Sequence, residues 1–369
     1  MMEVHQFHPT VSFGDAVSNQ ILSLQRLLRR MGYRSEIFCE QPPIQFEGRT
    51  RLMQQYPRYS SPDNLLLLHF SLGYSPQVLA WLEQLPDRKV LIYHNITPHT
   101  YFVGINESYM EAARVGRQQL RWLKERTEAG WGVSNFNAQE LAGNGWTRLG
   151  VLPLVFDPSR YQVRPDRTVM RRWAGKTNVL FVGRVTPNKR FEDIIITFYF
   201  LKRWVSPDAQ LILVGSARGM EPYLEFLQEL VKRLNLSSSV VFTGHVSTSQ
   251  LVAYYRCASL FLCMSEHEGF GMPLLESMYF GVPIIAHKAA AVPETLDSSG
   301  VLVTEKNHAA VAELIGLLLE DEPLRERIVA RQRERLKAFS PERVREQLIN
   351  LLRDLNVNVR EPYEHRAGR

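Results

Sequence analysis

"VVFTGHVSTSQLVAYYRCASLFLCMSEHEGFGMPLLESMYFGVPIIAHKAAAVPE", residues 240–294, decides the fold. Apolar runs (VVFTG, LFLCM, VPIIAH) alternate with helix-length segments. A run such as LFLCM is apolar at every position, as a strand buried on both faces requires. Strand and helix in strict alternation imply a parallel sheet covered by helices.

The same order extends in both directions. TNVLFVG (177–183), AQLILVG (209–215) and GVLVTE (300–305) complete a series in the second half. In the first half, MMEVHQF, RSEIFCE, NLLLLHF, KVLIYHN, AGWGVSN and TRLGVLP read as strands, with amphipathic stretches such as DAVSNQILSLQRLLRRMG between them. PLVFDPSRYQVRPDRTVMRRWAGK (153–176) is rich in Pro and Arg, has no clear period, and reads as a linker. The expected architecture is therefore α/β, with two doubly wound Rossmann-like domains. Their expected extents are 1–155 and 177–340, with 156–176 as the linker and 341–369 as a last helix. Ligands are expected at the carboxyl ends of the strands.

The chain has 369 residues, 45% hydrophobic and 22% charged, enough for two cores. No apolar run approaches the ~18–20 residues that span a bilayer. The start lacks the basic-then-apolar order of a signal peptide. Three scattered cysteines (Cys39, Cys257, Cys263) suit neither a disulfide framework nor a CxxC metal site. A cytoplasmic protein is expected. The net charge of +6 suits anionic ligands without choosing among nucleotides, lipid surfaces and nucleic acid.

Two loops carry chemistry. Pro273 suits a helix start, which makes Ser265–Met272 a strand-to-helix loop at the carboxyl edge of the second sheet. Gly269 and Gly271 allow close backbone approach, and a helix start offers N–H donors to an anion. Glu268 in the loop and Glu276, expected in the first helical turn, would accept hydrogen bonds from hydroxyls. The plainer reading is a helix-end charge and a solvated carboxylate. In VLFVGRVTPNKRFEDII (179–195), Arg184 and Lys189 follow a strand and could converge on one diphosphate. The plainer reading is two solvated cations.

GRVTPNK together with the Glu-x7-Glu of EGFGMPLLE resembles the retaining glycosyltransferases of family 4, which have the GT-B fold. The resemblance is close over the second domain and looser over the first. It implies that 1–155 is an acceptor-side domain and 177–340 a nucleotide-sugar-binding domain, that the two face across a cleft, and that the last helix, 341–369, packs back on the first domain. It implies that Arg184 and Lys189 bind a donor diphosphate and that Glu276 holds the ribose. Glu268, with the backbone of Gly269, Phe270 and Gly271, would hold the transferred sugar, and Gly183 would belong to the donor-binding site. His245 and Val246 would meet the base, and His94 would face the sugar. The FHPTVSFGDAVS loop, through Gly14, would close on diphosphate and acceptor; where many members carry a glycine pair, this chain has Phe13-Gly14.

The implied activity is retaining transfer of a sugar from a UDP- or GDP-linked donor to a glycan or lipid-linked acceptor. The departing phosphate would take the acceptor's proton. Two cations and helix-end N–H groups would stabilise the leaving group, so no metal or other cofactor is expected. His5, His8, His94 and His99 read as hydrogen-bonding residues rather than metal ligands. In 107–126, Arg114, Arg117, Arg121 and Lys124 share a helix face, with Tyr109 and Trp122 near. That face is either solvated or rests on an anionic membrane or charged acceptor. A nucleotide-sugar epimerase of the same fold is the alternative. A basic nucleic-acid-binding protein is the remote alternative, which no aromatic-rich basic strand face or helix-turn-helix supports, and no GxGxxG follows the first strand.

Overall fold

The computed structural model describes residues 2–12, 15–41 and 48–359. They form two compact units. Unit 1 comprises residues 1–96, 112–155 and 339–369. Unit 2 comprises 97–111 and 156–338.

Unit 1 is built on a parallel sheet of β1 (Val4–Phe7), β2 (Ile37–Cys39), β3 (Arg51–Leu52), β4 (Leu65–Phe70), β5 (Arg88–Tyr93), β6 (Ala129–Gly132) and β7 (Leu149–Val151). The spatial order is β3-β2-β1-β4-β5-β6-β7. The chain winds outward from β1 to β3, then returns to the other side of β1 at β4. The switch point therefore lies between β1 and β4, and in open α/β sheets ligands bind at the strands' carboxyl ends beside such a point. β4 is buried at every position, and Leu66 and Leu68 join Phe7, Leu91 and Tyr93 in the core. Each such leucine contributes about 1.5–3 kcal/mol by leaving water.

Unit 2 holds β8 (Asn178–Val182), β9 (Gln210–Val214), β10 (Val240–Gly244), β11 (Leu260–Cys263), β12 (Ile284–His287) and β13 (Val301–Val303). They are parallel, in the order β10-β9-β8-β11-β12-β13, with the switch point between β8 and β11. Side-chain caps fix where several helices start. Ser247 accepts from Gln250 N–H, and the Gln250 side chain accepts from Ser247 N–H, opening the helix Thr248–Cys257.

Three features differ from the sequence reading: β3, the 156–176 stretch and residues 97–111. β3 has two residues and offers no apolar run to recognise. The 156–176 stretch holds the helix Arg167–Trp173, with Val169 and Trp173 buried, packed on the helix Thr248–Cys257. Its period escapes notice because seven residues make only two turns. Residues 97–111 cluster with unit 2: Asn106 donates to the Gly219 carbonyl at 2.6 Å and Tyr101 to Glu266 at 3.3 Å. The helix Pro341–Asp354 buries Val344, Leu348 and Leu352 within unit 1. A β-carbon at Gly150 in β7 would lie 2.3 Å from Leu351, so glycine there admits the helix.

Candidate active site

The carboxyl edge of the second sheet is lined by glycine backbone. Gly183 follows β8 and donates to the Val214 carbonyl at 2.9 Å; Gly215 follows β9 and donates to Gly244 at 3.1 Å. A β-carbon at Gly215 would fall 1.8 Å from the Gly183 carbonyl oxygen. Neighbouring strand ends thus abut through main chain, which keeps side chains off that stretch of the edge. Arg184 is exposed beside it. Its guanidinium lies over the Tyr109 ring at 4.9 Å and donates to the Arg218 carbonyl at 3.2 Å.

Lys189 ends a single 3-10 turn, Pro187–Lys189. Asn188, buried beside it, ties that turn to the loop after β11. Its Nδ2 donates to the His267 carbonyl at 2.9 Å, and its own carbonyl accepts from Glu266 N–H at 2.9 Å. The bracing sets the next side chain of each loop face to face, and the Lys189 ammonium pairs with the Glu268 carboxylate. Both side chains are largely buried, at 19% and 11% exposure. Alongside, Lys306 bridges Asp193 at 2.7 Å and Glu266 at 2.8 Å. Burial alone would raise Asp193, but hydrogen bonds from Arg190 and Lys306 outweigh it and hold its carboxyl below the usual range.

Gly271 caps the helix Met272–Phe280 in the left-handed region, φ 92°, with no side-chain cap on the helix start. The Phe270 carbonyl accepts from Thr295 Oγ1 at 2.6 Å, and the Glu268 carbonyl from Ala291 N–H at 3.2 Å. Residues 268–271 are therefore pinned main chain rather than a loose turn.

Glu276 differs from expectation. It lies in the second turn of that helix and is 8% exposed. Tyr161 donates to one carboxylate oxygen and Tyr255 to the other, each at 2.6 Å. Burial and then the facing carboxylate push both phenols above their ordinary range, so both remain protonated donors. Sequence reasoning missed the two tyrosines, because 115 and 21 residues separate them from Glu276. His245 is exposed and Val246 half-buried, just beyond β10.

In unit 1, His94 follows β5 and its Nε2 meets His69 Nδ1 at 2.9 Å. Burial, then the neighbouring His8, pushes the His94 pKa down to about 3. His8 follows β1 and accepts from Ser71 at 3.3 Å. His69 was also missed. Its one signal is a polar residue inside an apolar strand, LLLLHF, where burial demands partners. His5 instead bonds Glu3, at 2.8 Å. Gly14 lies outside the described residues. No group of three or more His, Cys, Asp or Glu that could hold a metal ion occurs among the described residues.

The cationic face of the helix Glu107–Lys124 is partly occupied. Arg117 donates to the Ile96 carbonyl at 2.7 Å and pairs with Glu140 at 2.5 Å, while Tyr109 lies beneath Arg184. No helix among the described residues is long and apolar enough to cross a membrane.

Two parallel-sheet units with these switch points define the GT-B fold. Anabaena HepE, solved in complex with UDP and glucose, matches with a TM-score of 0.74 at 16% identity, over 96% of this chain and 100% of that one. A sucrose-phosphate synthase of Thermosynechococcus elongatus matches with a TM-score of 0.73 at 18% identity, over 96% and 99%. Residues 167–335 match the family model described as Glycosyl transferases group 1.

Among sequence relatives is a GDP-mannose-dependent alpha-(1-6)-phosphatidylinositol monomannoside mannosyltransferase of Mycobacterium tuberculosis. It is 30% identical over 58% of this chain and 58% of its own length. The O-antigen chain mannosyltransferase B of Escherichia coli is 30% identical over 48% and 45%. The chain thus spans about half the length of the relatives it matches.

Proposed function

We propose that the chain is a retaining glycosyltransferase of family 4 that moves a sugar from a UDP- or GDP-linked donor to a glycan or lipid-linked acceptor. The observation that carries this reading is the Lys189–Glu268 pair at the switch point of the second sheet, beside a helix start without a side-chain cap. A cation for the diphosphate and a carboxylate for sugar hydroxyls are thereby adjacent. Relatives named for GDP-mannose and a fold neighbour in complex with UDP support the donor class.

In this reading Arg184 and Lys189 take the charge that develops on the leaving diphosphate, helped by the backbone of Gly183 and the Gly269–Gly271 segment. Glu268 accepts from hydroxyls of the transferred sugar. Each Glu276 oxygen has a lone pair beyond its tyrosine bond, open to a ribose hydroxyl. The family resemblance assigns His245 and Val246 to the base, His94 to the sugar and Gly14 to the diphosphate. The acceptor attacks on the face the diphosphate leaves, and the departing phosphate oxygen takes its proton. Fixed cations do the work of a metal, so turnover should survive EDTA. A cytoplasmic location and a peripheral membrane contact through exposed Arg121 and Lys124 belong to the same proposal.

The test incubates the protein with UDP-, GDP- and ADP-sugars, with and without candidate acceptors, in EDTA. Acceptor-dependent release of nucleoside diphosphate, with product of retained configuration, is the expected result. Sugar isomerisation without an acceptor would favour the epimerase, and recovery only with Mg²⁺ or Mn²⁺ would refute metal independence.

A further inference from the structure

Polar side chains inside a parallel sheet need partners. Gln6 on β1 and His69 on β4 are such residues, buried within unit 1. The direction of their hydrogen bonds follows from chemistry alone. Gln6 Nε2 donates to the Ile21 carbonyl at 3.1 Å. A carbonyl only accepts, so the amide nitrogen lies at that end and Oε1 at the other. Gln6 Oε1 is 3.0 Å from His69 Nε2. An amide oxygen also only accepts, so His69 carries a proton on Nε2.

Burial and then His94 and His8 drive the His69 pKa well below 6.5, so it is neutral and has no second ring proton. Its Nδ1 is a bare acceptor, 2.9 Å from His94 Nε2. His94 must therefore donate through Nε2. Being neutral too, it is left with an unprotonated Nδ1. No hydrogen bond to that nitrogen occurs among the described residues, and the side chain is partly exposed. His8 has the opposite tautomer, since its Nδ1 faces the Thr10 carbonyl and its Nε2 faces Ser71.

We propose that Gln6 and His69 are positioning residues that lock His94 into the neutral, Nε2-protonated tautomer, so that it meets substrate only as an acceptor through Nδ1. The consequence is a specificity rule. A bare imidazole nitrogen binds a hydroxyl and repels groups that bring only lone pairs. The moiety at His94 is then an uncharged polyol, not a phosphate or a carboxylate. This rests on the reading that His94 faces the transferred sugar.

The experiment is long-range ¹H–¹⁵N NMR of the full chain labelled with ¹⁵N-histidine, with His94 assigned by its loss in His94→Gln. The expected spectrum shows one protonated ring nitrogen, Nε2, unchanged from about pH 5 to 8. Gln6→Met removes the oxygen that fixes His69, and His69→Phe removes the acceptor for His94. Either variant is expected to give a mixed or reversed His94 tautomer and to lower turnover on the order of tenfold. Affinity for the bare nucleoside diphosphate is expected to change little.

A proton on His94 Nδ1 in the unaltered chain, or an unchanged tautomer in both folded variants, would overturn the relay. The wild-type spectrum decides even if neither variant folds. The spectrum is also independent of turnover. The expected tautomer in a chain that uses no nucleotide sugar would uphold the relay and count against the transferase reading.

Discussion

The Lys189 ammonium and the Glu268 carboxylate form an ion pair that joins the loop after β8 to the loop after β11. Removing one partner leaves a mostly buried charge, which costs up to about 3 kcal/mol of stability. Lys189→Ala is therefore expected to lower both melting temperature and transfer, the latter by about 10²–10³-fold. The double variant Lys189→Ala/Glu268→Gln separates the two effects. Stability should recover in part, because no buried charge remains, while transfer stays lost. Recovery of transfer with stability would make the pair structural.

Glu276 is held by two phenols, so its variants should also cost stability. Tyr161→Phe and Tyr255→Phe each remove a hydrogen bond to a charged group, about 1.5–3 kcal/mol. Glu276→Ala leaves two buried hydroxyls unpaired and should be worse than either. Calorimetry is expected to show weaker binding of free nucleoside diphosphate in Glu276→Gln and little change in Glu268→Gln. Equal losses in both would cancel the division between ribose and sugar.

Gly271→Val should be a folding variant as much as a catalytic one. At φ 92° a β-branched residue is strained by about 1–3 kcal/mol, and its β-carbon would come within 2.9 Å of Leu274 Cδ1. Gly143 has open space around it and should tolerate valine better. Paired melting temperatures and initial rates of the folded fraction check this. Equal melting of the two variants would contradict the strain argument.

Stability should fall early on acidification. His69 is buried, His8 and His94 are partly buried, and all three titrate below their ordinary value of 6.5, His94 at about 3. Unfolding releases them to bind protons, so the stability they contribute is present above about pH 6.5 and is lost as the pH falls toward 3. Melting curves between pH 7 and 5 are expected to slope more steeply for the unaltered chain than for His94→Gln. Parallel curves would show that His94 does not titrate abnormally.

The strands were legible because a parallel sheet buried on both faces needs unbroken apolar runs, as in LLLLHF and LFLCM. Position along the chain was legible too: Lys189 and Glu268 each follow a strand that flanks a switch point, and they meet. What the sequence does not reveal is pairing across long separations. Nothing in AYYRC marks Tyr255 as a partner of Glu276, and nothing in PSRY marks Tyr161. The excursion of 97–111 into unit 2 rests on single side-chain bonds from Asn106 and Tyr101, which carry no period.

Isothermal titration of UDP and GDP into the unaltered chain and into Lys189→Ala tests the central claim most directly. One of the two nucleotides is expected to bind the unaltered chain in EDTA, with affinity reduced at least about tenfold in Lys189→Ala, as loss of a charge-assisted contact requires. Binding of neither nucleotide, or equal binding to both proteins, would contradict a nucleotide-sugar site built around Lys189 and Glu268.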